Sequence, residues 1–340
     1  MASEIQIKEA SVNLDKHVAE MMQWHFSEDT GCPFWLNWAK EQDWSPLTEI
    51  STFVDLCEKF PTFQDEWLRD LPNSTWVPKA YAGRPFNIFE TGGTTGMPKQ
   101  RIGWDDFRVD YTEFSKTLKD EHFPRNHYWM MVGPTGPRRL RLAIEHLANE
   151  RGCSCYFVDL DPRWVKRLIA TQQFNQARAY MDHVVEQALT ILKHREVSAL
   201  FTTPKLLEAL AERKDLVKAG IKGVFCGGTT MDRQYARFLQ EEVCEGGKIG
   251  FVPTYGNTLM GLARHRPFGP DNDYSIAYYA PQPRPDLREI DTKSGKPFDY
   301  DQRVMLEGGV LPIQNGISHL DIVSVEFCID LIVQRLVVRH

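Results

Sequence analysis

The sequence predicts an α/β protein in which helices cover a mostly parallel sheet. Short apolar runs recur between residues 86 and 226, and polar turns and helical apolar patterns separate them. Helical crossovers connect parallel neighbours, so this alternation favours strands that run in one direction. The 340 residues allow one large domain with two sublobes.

Residues 1–75 are predicted to form a helical N-terminal subregion. Aromatic side chains recur among acidic residues at helical spacing, and prolines separate the segments. We expect these rings to pack between helices rather than to line a ligand pocket. They are Trp24, Phe26, Phe34, Trp35, Trp38, Trp44 and Trp67.

The next elements follow a strand, loop and helix order. An apolar run over 86–89 predicts a strand, and a helix is expected from Trp104 through Leu118. The runs 128–132 and 156–160 predict two further buried strands.

The second half of the pattern starts with a helix whose N-cap is Asp161, because Pro162 fits the first helical turn. A long apolar period between Val184 and Leu192 extends this helical region. Two strands and an intervening helix complete it, over 199–202, 224–226 and 204–212.

Charge and cysteine content narrow the function classes. A net charge of -6 without a basic cluster argues against nucleic-acid binding. Seven cysteines, without paired zinc-ligand spacing, favour reduced thiols. Glu4, Lys8 and Glu9 interrupt any signal-peptide core, and Asp321, among other charges, interrupts the apolar C-terminal tail. We expect a cytoplasmic protein that does not cross a membrane, with its oligomeric state left open.

The strongest chemical signal is a stretch dense in glycine and threonine. Glycines let the backbone bend so that several N–H groups point into one concavity, which suits phosphate. Threonine hydroxyls add donors and a lysine adds positive charge. The stretch comprises Thr91, Gly92, Gly93, Thr94, Thr95, Gly96, Met97, Pro98 and Lys99.

Two common nucleotide signatures do not fit this stretch. A Walker loop needs lysine directly after its last glycine, where this chain has Met97. A dinucleotide fingerprint needs GxGxxG spacing, which is also absent. A nicotinamide oxidoreductase is therefore the least supported class.

The stretch resembles instead the Ser/Thr-Gly-Thr-Thr-Gly-x-Pro-Lys signature of the adenylate-forming superfamily. Residues 224–229 resemble that family's strand and turn at the adenine pocket, 254–258 its Tyr-Gly-x-Thr motif, and 289–297 its later hairpin. The resemblance implies ATP and Mg²⁺ as cofactors. By motif position, it implies nucleotide contacts from the loop and from Gly227, Gly228, Thr229, Tyr255, Gly256 and Thr258, with Lys99 and Thr258 catalytic and Thr258 at the metal.

Within the superfamily, residues 161–164 and 181–185 resemble the phenylacetate-CoA ligase-like branch. The similarity is greatest to small adenylating proteins of phenazine-antibiotic biosynthesis, a secondary metabolism, that lack the C-terminal lid domain. It implies an adenylation core over 76–306 and an atypical tail over 307–340. The implied substrate is a small aromatic carboxylic acid.

The implied reaction is attack of a carboxylate on the α-phosphorus of ATP, which gives an acyl-adenylate and pyrophosphate. Loop N–H groups and Lys99 would stabilise the developing charge. A separate reductase or thiol acceptor would take the acyl group, because no later domain supplies the family's mobile lysine.

The chain departs from the family pattern at two places. Leu259 stands where a Mg²⁺-binding glutamate is usual, and leucine cannot ligate a hard cation. The acid that binds the ribose hydroxyls is not found after Met305, although Asp321 could substitute. These departures keep open an alternative: a non-catalytic nucleotide-binding or scaffolding protein.

Other reactive side chains receive structural roles. His146 and His183 lack a partner carboxylate at suitable spacing and are expected to be solvated or core residues. Cys226 is expected to be buried on a strand, and Asp105–Asp106 to begin a helix.

Overall fold

The structure is a computed structural model that describes residues 4–60, 66–90, 97–136, 139–227, 231–257 and 261–279. It confirms the predicted α/β class: a mostly parallel sheet lies between two helical layers. None of the helices in these ranges is long and apolar enough to cross a membrane.

The described part of the N-terminal region is mostly helical. Prolines open the second and third helices, and Thr52 and Asp55 form a capping box on the fourth. Two short 3₁₀ turns follow, over Asn73–Trp76 and Lys79–Tyr81. The helices are α1 (Glu4–Phe26), α2 (Pro33–Lys40), α3 (Pro46–Glu49), α4 (Phe53–Lys59) and α5 (Trp67–Asp70).

Aromatic packing holds this region together, which confirms the structural role expected for its rings. Trp35 is 3% exposed, and the rings of Trp38 and Phe60 stack with centroids 4.9 Å apart. Edge contacts connect Trp35 to Trp38 at 5.7 Å. Each such pair adds about 0.5–1.5 kcal/mol beyond its buried area.

A two-stranded antiparallel hairpin follows the helical region. It consists of β1 (Asn87–Glu90) and β2 (Gln100–Gly103), with Glu90 opposite Gln100. The sequence predicted β1 but not β2. The Gln-Arg-Ile-Gly of β2 is too short and polar for an apolar pattern.

Within the part of the chain that the structure describes, the main sheet has seven strands in the order β4-β3-β5-β6-β7-β8-β9. The first five strands in this order pair parallel. Strand β8 pairs antiparallel with β7, and β9 pairs antiparallel with β8. The strands are β3 (Tyr128–Gly133), β4 (Ser154–Asp159), β5 (Ala199–Thr202), β6 (Gly223–Cys226), β7 (Gly250–Asn257), β8 (Gly261–His265) and β9 (Tyr278–Tyr279).

Helices cover both faces of this sheet. Helices α6 and α7 pack on one face, and α8 to α11 contribute to the apolar layer on the other. A π-helical turn over Leu239–Val243 continues the last helix. The helices are α6 (Asp106–Ser115), α7 (Arg139–Glu150), α8 (Pro162–Ala170), α9 (Phe174–His194), α10 (Pro204–Ala211) and α11 (Arg233–Phe238).

Strand β3 shows why the parallel strands read as continuous apolar runs. Trp129 and Met131 join the apolar cluster on one face, and Met130 and Val132 join the cluster on the other. A strand buried on both faces needs apolar side chains at every position. Tyr128, predicted with this buried run, is 48% exposed because it lies at the strand's first position.

Candidate functional site

The order of the parallel strands predicts a ligand site at their carboxyl edge. From β3 the chain moves outward to β4 and then crosses back to β5, so the direction of connection reverses between β3 and β5. Open α/β sheets bind ligands outside the carboxyl ends of strands at such a reversal. Here the edge is formed by Gly133 and by Thr202, whose hydroxyl donates to the Val132 carbonyl at 3.0 Å.

The β1–β2 hairpin carries the predicted phosphate loop, and polar side chains clamp the base of that loop. Gln100 Nε2 donates to Glu90 Oε1 at 2.9 Å, and Asn73 Nδ2 donates to Gln100 Oε1 at 3.0 Å. Arg163 Nη2 donates to Glu90 Oε2 at 2.7 Å. The Arg163 hydrogen bond, followed by that of Gln100, lowers the pKa of Glu90. Glu90 and Gln100 flank the predicted loop, so the clamp fixes where both of its ends leave the sheet.

The loop residues Thr91, Gly92, Gly93, Thr94, Thr95 and Gly96 lie outside the described residues. Lys99 is described and half-buried, one residue before β2. Arg69 Nε donates to the Met97 carbonyl at 3.2 Å and anchors the returning backbone to α5. Phe89 lies in the same buried cluster as Phe225 and Leu262, which seats the hairpin against the main sheet.

The structure brings the second and third predicted motifs together on neighbouring strands. Cys226 pairs with Pro253, and Thr254 donates its hydroxyl to the Cys226 carbonyl at 3.0 Å. A Cβ at Gly227 would lie 2.8 Å from Thr254 Oγ1, so a larger residue there would require Thr254 to shift. Gly228 and Thr229 lie outside the described residues.

The tyrosine predicted to contact adenine lies at the end of β7. Tyr255 is half-buried, with its ring centroid 5.7 Å from that of Tyr278. A Cβ at Gly256 would overlap the Gly261 carbonyl, so strand pairing itself requires this glycine. Thr258 lies outside the described residues, as do Leu259, the hairpin 289–297, Asp321 and the tail 307–340.

The residues assigned structural roles are placed accordingly. Cys226 is fully buried, and burial raises the pKa of its thiol. His146 Nε2 lies 2.9 Å from the Thr112 hydroxyl, and burial lowers the pKa of its imidazole. Helix α6 begins at Asp106 as predicted, although the Asp105 side chain makes no capping hydrogen bond and pairs instead with Arg84 at 3.1 Å.

Sequence reasoning missed two polar arrangements beside the motifs. One is the clamp of Glu90, Gln100 and Arg163. The other is a buried ion cluster in which Arg139 contacts Asp106 and Asp110, each at 2.7 Å. The two aspartates are four residues apart on one helix face, but the sequence does not reveal a partner 29 residues away.

The described residues contain no group of three or more His, Cys, Asp or Glu side chains arranged to hold a metal ion. A role for Thr258 at the metal stays a prediction.

Comparisons with known proteins locate the fold. No protein-family model matches the chain, and no curated protein sequence matches it. Among solved structures, 2-hydroxyisobutyryl-CoA ligase in the postadenylation state with R3-HIB-AMP gives a TM-score of 0.56 at 13% identity, over 87% of this chain and 58% of that chain. An open conformation of the ligase with 2-HIB-AMP and CoA gives 0.54 at 13% identity, over 87% of this chain and 64% of that chain.

A third structure, the same ligase with 2-HIB-AMP and CoA in the thioesterification state, gives a TM-score of 0.53 at 14% identity, over 86% of this chain and 58% of that chain. In each case this chain spans less than two thirds of the ligase. Over that part, the chain shares its α/β fold with an acyl-CoA ligase whose structures contain an acyl-adenylate.

Proposed function

We propose that this protein uses ATP to activate a small aromatic carboxylic acid as its acyl-adenylate, with release of pyrophosphate. The observation that carries the proposal is the clamped hairpin: Glu90 and Gln100 hold the base of a loop rich in glycine and threonine that ends at Lys99. The fold shared with an acyl-CoA ligase supports the same reaction class.

In the proposed reaction, a carboxylate oxygen attacks the α-phosphorus and the bond to the bridging oxygen of the β-phosphate breaks. Pyrophosphate leaves with the electron pair of that bond, so no proton transfer is required. The chain's contribution is to orient the phosphates and to place N–H donors and Lys99 against the charge that develops. Mg²⁺ bound to ATP would neutralise further phosphate charge.

Tyr255 is proposed to stack on the adenine ring, with Lys99, Gly227 and Gly256 lining the nucleotide site. Thr258, Gly228, Thr229 and the loop residues 91–96 complete the proposed set. The aromatic nature of the acid, and its transfer to a separate reductase or thiol acceptor, rest on the resemblance to the phenylacetate-CoA ligase-like branch and its phenazine-pathway members.

ATP–pyrophosphate exchange tests the proposal. Purified protein is incubated with ATP, labelled pyrophosphate and single acids: benzoate, phenylacetate, phenazine-1-carboxylate, and aliphatic 2-hydroxyisobutyrate as the comparison. We expect label to enter ATP only with an aromatic acid. Exchange with the aliphatic acid alone would refute the aromatic assignment. Nucleotide binding without exchange for any acid would favour a non-catalytic nucleotide-binding protein, the function that Leu259 would suit.

Tyr255→Ala is expected to weaken ATP binding by on the order of 1 kcal/mol, since one aromatic stacking contact is lost. Calorimetry with ATP and with inorganic triphosphate measures the effect. Triphosphate affinity should not change, and Tyr255→Phe should bind ATP as the parent does. An equal loss for both ligands would remove Tyr255 from the adenine site.

A further inference from the structure

A buried ion cluster lies where helices α6 and α7 meet strands β2 and β8. Arg139, the first residue of α7, donates from Nε to Asp106 Oδ2 and from Nη2 to Asp110 Oδ2, both at 2.7 Å. The side chains of Arg139 and Asp110 are 8% and 2% exposed. The guanidinium therefore spans two carboxylates in the protein interior.

The carboxylates lie directly against two glycines. A Cβ at Gly103, the last residue of β2, would lie 2.9 Å from Asp106 Oδ1. A Cβ at Gly261, the first residue of β8, would overlap Asp110 Oδ2, and Gly261 also has a φ of 85°. Strand β2 follows the predicted phosphate loop in the sequence, and β8 begins three residues after Thr258. The cluster therefore contacts the backbone just after the predicted phosphate loop and just after the 254–258 motif in the sequence.

Stability alone does not account for such a cluster. Burial of the guanidinium favours its neutral form, but the charges of Asp106 and Asp110 outweigh burial and raise the pKa of Arg139. Desolvating three charges offsets much of their attraction, and well-packed apolar side chains would stabilise a protein interior at least as well. What an arginine adds is a planar fork that fixes two acceptors at a set distance and angle.

We propose that Arg139 is a positioning residue: through Asp106 and Asp110 it fixes the distance between β2 at Gly103 and β8 at Gly261, and so aligns two residues of the proposed nucleotide site, Lys99 directly before β2 and Tyr255 on β7, the neighbour of β8. This inference rests on the proposed adenylation. A displacement of about 1 Å between reacting groups can lower a rate by about 10²-fold. Arg139 itself makes no contact with substrate in this role.

The test compares Arg139→Lys, which keeps the charge but not the fork, with the parent. We expect kcat for acid-dependent pyrophosphate exchange to fall about 10- to 100-fold while KM for ATP changes by less than about threefold, the pattern of a lost transition-state alignment. Asp106→Asn is a milder second variant that should show the same pattern with a smaller loss. Arg151→Lys is the matched control, because Arg151 is buried but bonds the Phe123 and Ser115 carbonyls instead.

Amide hydrogen exchange supplies a readout that does not need turnover. In Arg139→Lys, peptides covering residues 97–104 and 250–264 should lose protection, whereas peptides covering β3 and β5 should not. If the parent shows no acid-dependent pyrophosphate exchange, the proposed function fails. The amide protection of these two peptides then tests the positioning role by itself. The inference would be overturned if Arg139→Lys kept both the kcat and the amide protection of the parent. It would also be overturned if Arg139→Lys lost protection uniformly across the protein, as we expect of the control Arg151→Lys.

Discussion

Arg151→Met is expected to lower the free energy of unfolding by about 3–6 kcal/mol, because each hydrogen bond from a charged donor contributes about 1.5–3 kcal/mol. The Arg151 side chain is fully buried and donates to the carbonyls of Phe123 at 3.1 Å and Ser115 at 3.0 Å. It also pairs with Asp120. These bonds connect the end of α7 to the segment between α6 and β3, so the substitution removes donors from main-chain groups in the interior.

Urea denaturation monitored by tryptophan fluorescence measures this change. Arg125→Met is the matched control, because Arg125 pairs with the same Asp120 at 3.3 Å but is 50% exposed. Exposed ion pairs contribute about 0–1 kcal/mol, so this variant should unfold almost as the parent does. Equal midpoints for Arg151→Met and Arg125→Met would show that the buried guanidinium contributes no more than an exposed one.

Lys99→Ala is expected to lower the rate of acid-dependent pyrophosphate exchange by about 10²–10³-fold. That range is typical when one preorganised donor to a developing negative charge is removed. The substitution takes a positive charge from the end of the proposed phosphate loop. Because the clamp of Glu90 and Gln100 remains, the base of the loop should keep its geometry.

Single-turnover and steady-state exchange assays give the effect on kcat and on KM. Lys116→Ala serves as the control, since Lys116 makes only an exposed ion pair with Glu113. If both Lys99→Ala and Lys116→Ala catalyse pyrophosphate exchange at the parent rate, Lys99 does not contact the phosphates. That result would leave the loop's N–H groups and threonine hydroxyls as the proposed donors.

The sequence predicts the central sheet well because strands buried on both faces appear as continuous runs of apolar residues. Strand β5 begins and ends at the predicted residues, and Asp161 caps α8 by accepting from the Arg163 amide at 2.8 Å. Both features depend on local residues: a run of apolar side chains in one case, and a cap beside a proline in the other. Local rules suffice for such elements.

The polar connections could not be predicted in the same way. Glu90 and Arg163 are 73 residues apart, and Arg139 lies 33 residues from Asp106. Such side-chain contacts depend on the order of the strands in the sheet. The spacing of apolar residues in the sequence does not indicate that order. Gly256 illustrates the same limit: its motif suggested a nucleotide contact, whereas the facing backbone of Gly261 already requires a glycine there.

The strand order also constrains how the chain can fold during synthesis. Strand β3 pairs on one side with β4 and on the other with β5. The hydrogen bond beside the β4 pairing joins His127 and Cys153, which are 26 residues apart, whereas the bond to β5 joins Val132 and Thr202, which are 70 residues apart. A nascent chain that ends before Ala199 therefore presents β3, apolar on both faces, with one edge unpaired. Such an edge is a template for association with other chains, and parallel pairing at this separation closes slowly. Translation through α8 and α9 is thus an interval in which this edge of β3 is open to association with other chains.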